Sequence, residues 1–138
     1  MCFNSFFKIF ILSITPNNFS ILYIKTFYIF AVRRIRAYQH YYKVFIDSLT
    51  QEEQAKIRRS LALLKTNDRI PRHFINYMGD AIYEFRITLR NKEARLFFVY
   101  GDEDLIVLLN CFIKKTKRTP PGEFEKAKRL KKAYDESR

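Results

Sequence analysis

The alternation between residues 80 and 90 is the tightest constraint on how this chain can fold. Ala81, Tyr83, Phe85, Ile87 and Leu89 fall on one side of an extended strand. Glu84, Arg86, Thr88 and Arg90 fall on the other. A short break at Asn91-Lys92-Glu93 leads to a second apolar stretch, Ala94 to Tyr100, and Gly101-Asp102-Glu103 leads to a third, Asp104 to Phe112. Connections this short cannot carry the chain across a sheet to a parallel neighbour, which takes about a dozen residues or more. The spacing therefore predicts a three-stranded antiparallel meander.

Helical patterns flank the meander. Tyr42, Phe45, Ile46 and Leu49 lie at helical spacing, and Thr50-Gln51-Glu52-Glu53 has the Thr-x-x-Glu form of a capping box opening a second helix. That helix is expected to bury Ile57, Leu61 and Leu64, to expose Lys56, Arg58, Arg59 and Lys65, and to stop at Asn67-Asp68 and Pro71. Before this hairpin, Arg33 to Tyr38 can form a short edge strand with its arginines in water. After the meander, Pro120-Pro121-Gly122-Glu123 opens a last helix with Phe124, Ala127, Leu130 and Tyr134 as a narrow apolar stripe, and Glu125 paired with Arg129. The expected class is α+β: a short first strand, a helical hairpin, the meander, and a C-terminal helix.

Charge narrows the function. The chain carries 26 Lys+Arg against 14 Asp+Glu, a net +12, which points to a polyanionic partner, nucleic acid before an anionic membrane. The excess peaks where the third strand ends, in Phe112-Ile-Lys-Lys-Thr-Lys-Arg-Thr-Pro120, with Lys114, Lys115, Lys117 and Arg118 inside five positions. Cys2 and Cys111 lack metal-ligand spacing, and neither is near His40 or His73 in sequence, so neither a zinc site nor a disulfide framework is expected. Cys111 reads as a small core residue.

The first residues are of another kind. Met1 to Val32 holds no acid, and Lys8 and Lys25 are its only charges. Its longest uncharged run, Ile9 to Ile24, is broken by Pro16-Asn17-Asn18, whereas a spanning helix needs about 20 continuous apolar residues. Neither a cationic start nor a small-residue cleavage site marks a signal peptide. Its amino acids are largely those of AT-rich codons. We expect residues 1–31 to be an apolar extension outside the domain, of the kind a mis-assigned start would add, and residues 32–138 to be the domain. A membrane-anchored basic protein is the alternative this segment leaves open.

From about Val32 to Arg138 the chain resembles the RelE/ParE toxin superfamily, in its HigB-like, phage-derived branch. The resemblance rests on Tyr83-Glu84-Phe85-Arg86, on Ala94-Arg95-Leu96-Phe97-Phe98, on Phe112-x-Lys-Lys-Thr-Lys-Arg-Thr-Pro120, and on the spacing to Glu123-Phe124-Glu125-Lys126-Ala127. It implies the toxin of a type II toxin–antitoxin pair: a ribosome-dependent endoribonuclease that cuts mRNA in the cytoplasm. A cognate helix-turn-helix antitoxin would silence it. Members of the ParE branch poison DNA gyrase instead, so a non-nucleolytic toxin or an inactive relative acting as a binding module is the second expectation.

RNA transesterification needs a proton acceptor for the ribose 2′-OH, a donor for the leaving 5′-oxygen, and cations for the developing charge. With no histidine in the strands or the basic stretch, this chemistry falls to Lys, Arg, Tyr or Glu. No metal or other cofactor is implied. The candidate catalytic residues are Arg86, Arg95, Lys114 and Lys115; the candidate RNA-binding residues are Lys117, Arg118, Glu84 and Arg90. A two-residue loop at Asn91-Lys92 would set Arg95 opposite Thr88, on the same face as Arg86; a three-residue loop would put it on the other side unless a bulge intervenes. Arg95 among Leu96, Phe97 and Phe98 needs an anion, either phosphate or Glu84. Relatives often hold an aromatic or imidazole acid near the last helix; Phe124 stands there and cannot donate a proton.

Overall fold

The computed structural model describes residues 33–66, 70–115 and 117–138. The expectations for residues 1–31 and for the helix stop at Asn67-Asp68 lie outside these residues. The elements are β1 (Arg34–Ala37), α1 (Tyr41–Asp47), α2 (Gln51–Thr66), β2 (Ile75–Gly79), β3 (Ile82–Thr88), β4 (Glu93–Tyr100), β5 (Leu105–Lys114) and α3 (Pro121–Glu136). They build one mixed sheet in the order β1-β5-β4-β3-β2, in which β1 runs parallel to β5 and all other pairs are antiparallel.

The expected architecture is present, with one strand more. β2 lies in what reads as connection, and its mixed sequence Ile-Asn-Tyr-Met-Gly shows no clean alternation because it is an edge strand of intermediate burial. The strand expected from Asp80 starts instead at Ile82, because Asp80 and Ala81 form the two-residue turn between β2 and β3. Both take positive φ, 53° and 58°, as the favoured two-residue hairpin turns demand. An alanine there is strained by contact of Cβ with its own carbonyl. Ala81→Gly is therefore expected to stabilise the domain by about 0.5–1 kcal/mol, even after the extra chain entropy of glycine. A denaturant titration in which the variant unfolds earlier than the parent would refute this.

Both faces of the sheet are covered. On one, Phe45 and Leu49 at and just beyond α1, with Ile57, Leu61 and Leu64 of α2, pack on Phe85, Ile87, Leu96, Phe98, Ile106 and Leu108. On the other, Ala127, Leu130 and Tyr134 of α3 pack on Ile82, Phe97, Val99, Val107, Leu109 and Phe112. The second layer corrects the simple reading of the polar side of β3: that side is roofed by α3, and only its end near the basic stretch reaches solvent. The buried stripe along most of β4 follows, since a strand covered on both sides loses its alternation.

The capping box closes as its spacing requires. Thr50 N–H donates to Glu53 Oε2 at 3.0 Å and Glu53 N–H donates to Thr50 Oγ1 at 3.3 Å. The bond from the Thr50 backbone, and then Lys92 at 3.0 Å, hold the Glu53 carboxyl below its ordinary range. That contribution is present above the ordinary carboxylate range and fades as pH falls through the lowered value. In α3, Glu125 pairs with Lys128 at 2.5 Å rather than with Arg129, three residues being as reachable as four on a helix surface. Cys111 is half-buried and packs against the core under α1 and α2, and burial pushes its thiol up. Among the described residues no helix is long and apolar enough to cross a membrane.

Candidate RNA-phosphate site

The site grows from one cross-strand pair. In the β3–β4 register Arg86 stands directly opposite Arg95, and Phe112 of β5 completes the row. The turn does not sit at Asn91-Lys92: Thr88 pairs with Glu93, and Leu89 N–H donates to Lys92 O at 2.8 Å, which leaves Arg90 and Asn91 at its tip. Arg95 thus shares a face with Arg86 but pairs with it rather than with Thr88. Two like charges facing each other across strands repel, so the pair needs an anion between them.

Glu84, two residues before Arg86 and on the same face, is that anion. It is 1 % exposed. Its Oε2 accepts from Arg86 Nε at 2.9 Å, and its Oε1 accepts from the Thr119 hydroxyl at 2.9 Å. Arg95 Nε lies 3.3 Å from the same Oε1, an ion pair by distance though not aligned as a hydrogen bond. Arg95 also donates from Nη2 to Glu93 Oε2 at 2.5 Å and from Nη1 to the Ala94 carbonyl at 3.3 Å. A guanidinium 5 % exposed requires such partners, since an unpaired buried charge is prohibitively costly.

These contacts sort the sequence candidates by depth. Arg86 keeps 37 % of its side chain exposed and commits only Nε to Glu84. Lys115, Lys117, Arg118 and Arg90 are exposed and Lys114 is half-buried. Arg90 lies in the turn after β3, and Lys114, the last residue of β5, stands across from Glu93 at the same end of the sheet. Glu84 and Arg95 sit beneath this surface, with their polar atoms turned to each other and to Arg86, Glu93 and Thr119. The two arginines and two glutamates cancel in charge, so the net positive field comes from Arg90 and the cations around the end of β5.

Three further groups belong to the site or its support. Thr119, after four cations and before a proline, carries no sequence mark of its role, because a bond to a residue 35 positions away has no local signature. Asn110 is fully buried under the start of α3, and its Nδ2 donates to Glu123 Oε2 at 2.9 Å and to Glu123 O at 3.2 Å. An asparagine inside the run Leu-Ile-Val-Leu-Leu-Asn-Cys is a visible break in pattern and could have been picked out. Phe74, 40 % exposed, accepts from Arg86 N–H through its carbonyl at 2.7 Å, so its backbone borders the site. Phe124 packs on Phe97 with ring centroids 6.0 Å apart, an apolar role. His40 and His73 are exposed. Among the described residues no three His, Cys, Asp or Glu side chains gather as a metal site.

A family model described as phage derived protein Gp49-like (DUF891) matches residues 44–132, from within α1 to within α3. Among curated proteins none matches the chain.

Proposed function

Because the chain belongs to the phage-derived Gp49-like family, a HigB-like family of RelE/ParE-fold toxins, we propose that it is the toxin of a type II toxin–antitoxin pair that cleaves mRNA on the ribosome. It would act in the cytoplasm, without a metal, under control of a helix-turn-helix antitoxin. The observation that carries this reading is the placement of Arg86: a half-exposed guanidinium, backed by a buried carboxylate, at the end of a sheet where Lys114 and Lys115 emerge.

In the proposed reaction a ribose 2′-oxygen attacks the adjacent phosphorus while the bond from phosphorus to the 5′-oxygen breaks. The products are a 2′,3′-cyclic phosphate and a 5′-hydroxyl. Arg86 meets the non-bridging oxygens, where negative charge gathers in the transition state. Lys114 and Lys115 are the candidates for charge neutralisation and proton transfer, while Lys117, Arg118 and Arg90 track the neighbouring phosphates. Glu84 and Arg95 act from behind, by holding Arg86 in place.

Inducible expression in cells, followed by mapping of mRNA ends, tests the reading. Growth arrest with cuts in register with codons supports it. Arrest with intact mRNA and double-strand DNA breaks overturns it in favour of a gyrase poison. On a non-cleavable single-stranded oligonucleotide, Lys115→Ala and Lys117→Ala are each expected to reduce the slope of log affinity against log salt by about 0.7. An unchanged slope for both would place these lysines outside the RNA path.

A further inference from the structure

We propose that Thr119 is a positioning residue, whose hydroxyl, bonded to the buried Glu84 carboxylate, sets where Lys117 and Arg118 stand relative to Arg86. The inference rests on the RNA-phosphate reading above and adds to it the means by which the site's two walls are kept in register.

The chain leaves the sheet after Lys114 and enters α3 at Pro121. Pro120 and Pro121 are consecutive, so two amide donors in a row are missing at the re-entry. Thr119, as a residue before proline, is held to extended conformations. Backbone hydrogen bonding is thus curtailed at the point where the chain must be fixed, and a side chain takes over. The Thr119 hydroxyl donates to Glu84 Oε1 at 2.9 Å, while Glu84 Oε2 accepts from Arg86 Nε at 2.9 Å. Both walls of the site therefore hang on opposite oxygens of one carboxylate.

That carboxylate is itself immobile. It is 1 % exposed and lies 3.3 Å from Arg95 Nε, and Arg95 is in turn held by Glu93. Past the prolines, Asn110 pins Glu123 from the opposite side. Lys117 and Arg118 precede Thr119 by two residues and one, so freeing the hydroxyl lets the backbone that carries them shift while β5 and α3 stay anchored. Thr119 itself is not a catalytic residue, since its hydroxyl is spent on Glu84.

The test uses the full chain with Thr119→Val, which keeps the shape and removes the hydroxyl, and Thr119→Ser, which restores the hydroxyl. Amide exchange of Lys117, Arg118 and Thr119 is read by NMR, kcat and KM are measured on ribosome-bound mRNA, and thermal midpoints are compared. The valine variant is expected to exchange faster at these three amides. Its kcat should fall about 10-fold to 100-fold, as small misplacements at a reacting centre do, with KM changed less than about threefold and the midpoint near that of the parent. The serine variant is expected to recover both exchange and kcat. Unchanged exchange in the valine variant, a parental kcat, or a serine variant as slow as valine would each overturn the proposal. A parent chain that cuts no mRNA overturns the nuclease reading and the positioning role with it. In that event the exchange comparison still decides, separately, whether the tether exists.

Discussion

Arg86→Ala is expected to lower the rate of mRNA cleavage by about 100-fold or more and to abolish growth arrest, with the fold retained. The size follows from the proposed role, since removing one preorganised donor to a developing oxyanion costs about two to three orders of magnitude in kcat. Stability should hardly move. The side chain is 37 % exposed, and Glu84 keeps Arg95 and Thr119 when Arg86 is truncated. The guanidinium is partly exposed and the buried carboxylate keeps two other partners, so the loss is expected to be about 1 kcal/mol. Arg86→Lys separates charge from geometry. A lysine retains the cation but lacks the planar fork that can give one N–H to Glu84 and others to phosphate, so partial loss is expected. Full toxicity in both Arg86→Ala and Lys115→Ala would remove this site from the mechanism, whatever the family.

What could be read beforehand divides by the range of the interactions involved. The helices and four of the five strands were legible because their signals are local: hydrophobic spacing, a Thr-x-x-Glu cap and Pro-Pro at a helix start. β2 was not, because an edge strand of intermediate burial has no reason to alternate, and its turn at Asp80-Ala81 lacks the glycine that usually marks one. Arg86 stood out on the polar side of an alternating strand, and Arg95 as a charge among apolar residues. Their division of labour was not visible, since it depends on α3 roofing one part of that face and leaving another open. Glu84 was expected at the RNA surface, or as a salt-bridge partner. Its two bonded oxygens and its burial suit the second role, one that only the pairing of β3 with β4 and the return of the chain at Thr119 could reveal.

Loss of Glu84 should be the most destabilising single change in the site. Glu84→Ala strands Arg95, 5 % exposed, with Glu93 as its remaining carboxylate, and sets two guanidiniums face to face across β3 and β4. Removing one partner of a buried ion pair costs about 3–5 kcal/mol, against about 5–15 kcal/mol for the whole stability of a typical domain. The thermal midpoint should fall by more than about 10 °C. The pair as a whole is worth much less than its breakage suggests, because both ions give up hydration on burial. Glu84→Leu combined with Arg95→Leu is therefore expected to be more stable than Glu84→Ala alone, while remaining inactive, since Arg86 and Thr119 lose their common anchor. If the double variant were the less stable of the two, the buried pair would be a net source of stability. The same ions would then serve the fold directly, rather than chiefly holding Arg86 and Thr119 in position for RNA.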